Sequence, residues 1–82
     1  MATIASENLL KAILELSENG ETVIAARLSE ALQISSAAVS MALKRLQRKG
    51  SVRITGRRFI HLTRSGYRTA CELVRRHRLV ER

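Results

Sequence analysis

The chain has no proline, and its four glycines, at 20, 50, 56 and 66, are its strongest punctuation. Asn19-Gly20 and Gly50 each close a long block that reads as helix. The interval from Gly50 to Gly66 is cut by Gly56 into two short β-prone runs. These breaks leave room for helices flanking one small hairpin and for little else in 82 residues, a length suited to one modest core without disulfides.

Apolar spacing places the elements. Over about 3–19, Leu9, Ile13 and Leu16 recur at helical intervals and are expected to face the core, with Ser6 as N-cap and Glu7 near the positive helix end. Leu10 and Leu14 form a second stripe beside the first, covered either by a wide core face or by another subunit. A second helix is expected over about 23–32, capped by Thr22, with Ile24, Leu28 and Ala31 on one face. Gln33-Ile34 is a very short connection, and Ser35 caps a third helix in which Val39, Ala42, Leu43 and Leu46 point inward until Gly50 ends it. Val52-Arg-Ile54 and Phe59-Ile-His-Leu62 predict a hairpin with Gly56-Arg57-Arg58 at its tip. A bare two-stranded hairpin is unstable, so it must pack on the helices. Thr63 caps a last helix over about 64–82, with Tyr67, Ala70, Cys71 and Val74 facing inward and Leu73, His77 and Val80 on an adjoining side. Helix, helix, helix, hairpin, helix, with a tight turn between the second and third, is a winged helix-turn-helix: a mainly α (α+β) single domain over 1–82.

Charge indicates the partner. Residues 1–42 hold two basic and five acidic side chains, whereas residues 43–82 hold thirteen basic and two acidic, within a net charge of +8. Such asymmetry points to a polyanion. With Phe59 and Tyr67 the only aromatic residues, the core must be aliphatic, and single-strand or RNA recognition by base stacking is disfavoured. The third helix starts with Ser35, Ser36, Ala37, Ala38, Ser40 and Met41, small enough at its entry for close approach to base edges in a major groove about 12 Å wide. Lys44, Arg45 and Arg48 follow and can reach phosphates, so the charge gradient matches a helix entering by its N-terminal end. Arg57 and Arg58 at the hairpin tip suit a neighbouring minor groove or its phosphates, and Arg27 and Arg64 are further phosphate candidates. With no arginine or glutamine in the first turn, specificity leans on van der Waals contacts and DNA shape.

Three stretches carry a family resemblance. Ala26-Arg-Leu-Ser-Glu-Ala-Leu-Gln-Ile-Ser-Ser-Ala-Ala-Val-Ser40 resembles the helix-turn-helix of the metal-dependent repressors of the diphtheria-toxin-repressor and manganese-transport-regulator type. Leu62-Thr-Arg-Ser-Gly66 is similar to the Leu-Thr-x-x-Gly that follows their wing, and Val74-Arg-Arg-His-Arg-Leu-Val-Glu81 to their Arg-His-x-Leu-x-Glu signature. The resemblance implies a sequence-specific repressor of metal-homeostasis genes that binds double-stranded DNA as a homodimer. It further implies that a dimerisation and metal-binding segment follows the domain, so that this chain corresponds to a fragment. It also implies Fe(II) or Mn(II) as effector, with His77 and Glu81 as ligands. These two lie one helical turn apart, and a histidine–carboxylate pair suits either metal. Asn8 and Lys11 stand where the family supplies further donors, so the ligand set within the chain is incomplete. His61, on a hairpin strand, is expected to pack or lie near DNA.

The alternative is a winged-helix regulatory or protein-interaction module, of the kind attached to some metal-transport permeases, without autonomous DNA binding. An enzyme is not expected: the chain has no Asp, no glycine-rich phosphate loop after a strand, and no nameable nucleophile–base pair. The single cysteine, Cys71, cannot form an internal disulfide and fits a reducing cytoplasm. No transmembrane helix or signal peptide is expected.

Overall fold

A computed structural model describes residues 4–80, with side chains described for 6–76. The elements run α1 (Ile4–Glu18), α2 (Ala25–Leu32), α3 (Ser36–Arg48), β1 (Val52–Ile54), β2 (Ile60–Leu62) and α4 (Arg64–Val80). This is the expected mainly helical winged helix-turn-helix.

The arrangement is built around α1, which packs against α2, α3, α4 and β2. A helix with neighbours on so many sides buries more than one stripe. Leu9 and Ile13 are fully buried, and so, within a few per cent, are Leu10 and Leu14. The chain itself therefore covers the second leucine stripe, as a wide core face, and leaves none of it for another subunit. Ser6 is inside α1 and buried rather than capping it. Val39, Ala42, Leu43 and Leu46 of α3 join Leu28, Val52, Ile60, Ala70 and Leu73 in the same aliphatic core.

The strands pair antiparallel, Val52 opposite Leu62, Arg53 opposite His61 and Ile54 opposite Ile60. Alternation of side-chain direction sends the apolar residues of both strands to the helices and leaves Arg53 and His61 exposed. The far edge of β2 is also occupied, because Ile60 N–H donates to the Val23 carbonyl at 2.9 Å. That bond explains why α2 starts at Ala25 and not at Val23. The backbone at Ile24 is extended (φ −129°, ψ 162°), and no side chain caps the helix, so Thr22 is not its cap. Leu28 of α2 is buried, Ala25 and Leu32 are half-buried and pack on the core beside it, and Ala31 is exposed.

Helix α4 departs from expectation in its facing. Tyr67 is 52% exposed, and the inward line is Gly66, Ala70 and Leu73, with Cys71 and Val74 half-buried beside it. The cause is Gly66: a Cβ placed there would lie 1.8 Å from the Ser51 carbonyl oxygen. The helix comes so close to the base of the hairpin that only hydrogen fits, and the small Ala70 follows one turn on. The side chains of His77 and Val80, and all of Glu81, lie outside the described residues.

Candidate nucleic-acid interface

The turn into α3 is fixed by a few short-range bonds. Gln33 closes α2 in the left-handed region (φ 54°, ψ 47°), its N–H donating to the Ser29 carbonyl. Ile34 N–H donates to the same carbonyl at 3.2 Å, and the Ser29 hydroxyl donates to the Ile34 carbonyl at 2.6 Å. Ser35 then caps α3 as expected, its Oγ accepting from Ala38 N–H at 3.1 Å. At the far end Gly50 (φ 76°) ends the helix, and Ser51 N–H reaches back to the Leu46 carbonyl at 2.9 Å, the bond pattern of a Schellman stop.

Anchored by its buried leucines, α3 presents its other face to solvent. Ser35, Ser36, Ala37 and Ser40 are exposed, Met41 is 62% exposed, and Ala38 is half-buried. Lys44, Arg45 and Arg48 follow on the exposed side. The small-then-basic order read in the sequence thus survives as a continuous accessible surface on one helix.

The hairpin tip is a tight loop. Arg58 N–H donates to the Thr55 carbonyl at 2.8 Å, and Thr55 N–H to the Phe59 carbonyl at 3.0 Å. Arg58 sits at φ 63°, the left-handed position that usually belongs to glycine in such three-residue loops. Arg57 and Arg58 are both exposed. The base of the hairpin is tied to α3 and α4 by Thr63. Its N–H donates to the Ser51 carbonyl at 3.0 Å, and its hydroxyl donates to the Gly50 carbonyl at 2.5 Å. The same hydroxyl accepts from Gly66 N–H at 3.1 Å, which makes Thr63 the cap of α4 as expected. Arg64, exposed, follows directly on this joint in the chain.

Among the described residues, Lys44, Arg45, Arg48, Arg57, Arg58 and Arg64 have no ion-pair partner, whereas Arg27 donates to Glu21 at 2.8 Å. No described carboxylate therefore neutralises these cations, which face solvent on α3 and the hairpin. Lys49 and Arg53, not singled out from sequence, are exposed as well and extend the basic surface along β1. Ser29 and Gln33 were also missed as determinants of the turn. A serine staple could have been suspected from the short Gln33-Ile34 connection, but nothing in a glutamine announces a left-handed backbone.

A metal centre is not assembled by this part of the chain. Among the described residues no three His, Cys, Asp or Glu side chains come together as a cation site. Asn8 and Lys11, both half-buried on α1, offer a neutral amide, a weaker ligand than a carboxylate, and an ammonium, which repels a cation. No described helix is long and apolar enough to cross a membrane.

Comparison with known proteins agrees with this geometry. Residues 1–60 match the family model "Iron dependent repressor, N-terminal DNA binding domain". The chain is 39% identical over 77 residues to the iron-dependent repressor IdeR of Mycobacterium leprae, covering 94% of this chain and 34% of that protein. To the diphtheria toxin repressor of Corynebacterium diphtheriae it is 38% identical over the same length, with the same coverage of each. The structure of the manganese regulator SloR superposes with a TM-score of 0.84 at 36% identity, over 93% of this chain and 35% of that one. The chain thus spans about a third of the length of the curated relatives it matches. With the fold, the exposed face of α3 and the sequence match in agreement, the chain belongs to the family of iron-dependent repressor N-terminal DNA-binding domains.

Proposed function

We propose that this domain binds double-stranded DNA sequence-specifically and serves, in the cytoplasm, a repressor of metal-homeostasis genes that acts as a homodimer, without catalysis of its own. The observation that carries the reading is the exposed face of α3: a start too small to block close approach, followed by Lys44, Arg45 and Arg48, which have no ion-pair partner among the described residues. The capped first turn enters a major groove; the cations of the later turns hold phosphates; the Arg57-Arg58 tip reaches the flanking backbone or minor groove. Two copies on a palindrome set their recognition helices about 34 Å apart. Fe(II) or Mn(II) regulation, as the relatives' names suggest, would act through protein outside the described residues, and binding by the domain uses its own side chains.

The test is selection of bound duplexes from a random pool, with and without Mn(II) or Fe(II), followed by titration of the winner at increasing salt. An enriched palindrome and a steep loss of affinity with salt are expected, because each phosphate contact releases counterions. The double change Arg57→Glu and Arg58→Glu should abolish the enrichment. Affinity that is flat with salt, or no enrichment at all, would favour a protein-interaction module instead.

A further inference from the structure

The duplex-binding reading does not say how this helix distinguishes one base pair from another. The first two turns of α3 contain no arginine, lysine, asparagine or glutamine, so the paired hydrogen bonds by which side chains usually identify guanine or adenine cannot be made there. The serines and alanines of those turns end at Cβ or one atom past it. Met41 alone extends further, and it is 62% exposed. Ala37 and Ala38 lie one turn before it and place their methyl groups alongside its stem. The result is a small apolar patch on the forward half of a helix that is otherwise hydroxylated or cationic.

Only one of the four bases carries an apolar group on its major-groove edge, the C5-methyl of thymine. We propose that Met41, supported by Ala37, is a specificity-determining residue of this domain, and that it selects thymine at the base pair it faces through that methyl. This rests on the duplex-binding reading and sharpens it. Against a C·G pair the thioether covers the cytosine amino group or the guanine O6 and N7 without pairing them, so polar groups lose water and gain nothing. Against thymine it buries a methyl on a methyl. The flexible, polarisable thioether adapts to the contact better than a branched side chain does.

The experiment uses the whole chain and the duplex it selects. Each thymine of the footprint is replaced in turn by uracil, which removes the methyl and nothing else. One uracil position per recognition helix should lower affinity about fourfold, the effect of about one buried methyl group at roughly 0.8 kcal/mol. Met41→Ala should bind the thymine and uracil duplexes equally, while Met41→Leu keeps most of the difference. Replacing the same T·A by C·G should cost the wild type more than about tenfold, and 5-methylcytosine at that position should recover part of the loss. The inference is overturned if the selected duplex binds well but no uracil position matters. It is equally overturned if Met41→Ala retains the uracil penalty, because the methyl is then read by another residue. Failure to bind any duplex is a different result, and removes the DNA-binding reading along with it. Circular dichroism of Met41→Ala should match the wild type, since the side chain lies outside the buried core and is mostly exposed.

Discussion

Gly66→Ala sets two physical effects against each other. Gly66 lies in the first turn of α4, away from the left-handed region. By helix propensity alone, alanine there should stabilise the domain by about 1 kcal/mol. Packing gives the opposite sign. The added Cβ would lie 1.8 Å from the Ser51 oxygen, 2.7 Å from its carbonyl carbon and 3.1 Å from its Cα. A carbon and an oxygen in contact need about 3.3 Å, so the start of α4 and the base of the hairpin must separate by about 1.5 Å. The obstructing atoms are backbone and cannot rotate away. That same carbonyl accepts from Thr63 N–H, and the Thr63 hydroxyl holds Gly50, so separation strains two hydrogen bonds worth about 1 kcal/mol each. Overpacking adds about 1–3 kcal/mol. After the propensity gain is subtracted, a net loss of about 2–4 kcal/mol remains, or roughly 10–25 °C in Tm for a domain of this size. Urea and thermal unfolding followed by circular dichroism measure it, with Ser65→Ala, exposed in the same turn, as the control for propensity. A Gly66→Ala protein as stable as the wild type, or more so, would refute the close-packed joint.

Other consequences can be tested as directly. Ser35→Ala removes the acceptor of the Ala38 N–H and should cost about 1 kcal/mol in urea unfolding. Ser35→Gly should cost only a few tenths. Arg58→Gly relieves a left-handed arginine and should raise stability by about 1 kcal/mol while weakening duplex binding and lowering its salt dependence, so melting and binding should move in opposite directions. The Tyr67 hydroxyl titrates above its ordinary 10.0, chiefly because of its hydrogen bond with Cys71, with the Cys71 and Glu18 charges adding to it. The folded state therefore holds the phenolic proton more tightly than the unfolded one, and this contribution to stability is lost as pH rises past 10. Cys71→Ala should bring the phenol titration, followed by tyrosinate absorbance, back down toward 10.0.

Much of this was written in the order of residue types. The buried line of α3 followed from the spacing of Val39, Ala42, Leu43 and Leu46, and both hydroxyl caps, Ser35 and Thr63, stood where apolar periodicity resumed. What escaped depends on neighbours distant in sequence. Tyr67 looked like a core residue because it is large and apolar, but contact between Gly66 and Ser51 turns α4 so that smaller side chains meet the hairpin. Ala31 shares helical spacing with Ile24 and Leu28, yet the face of α2 that meets the core runs through Ala25, Leu28 and Leu32 instead. Ser6 precedes a periodic block as caps do, yet α1 already runs through it. At the candidate interface, the accessible face of α3 could be read directly, since whatever the core does not take faces outward. The left-handed backbones of Gln33 and Arg58 could not, because the pull on them comes from Ser29 and from strand pairing rather than from their own chemistry.

The hydrogen bond from Ile60 to Val23 has one further effect. Open sheet margins invite other chains to add a strand, and small β-hairpins are especially exposed to this. Here one margin is already filled from within, by Val23. The other is β1, three residues long with Arg53 at its centre, too short and too cationic to template a growing ribbon. With both margins closed in this way, the wing is protected from pairing edge to edge with the wing of a second copy.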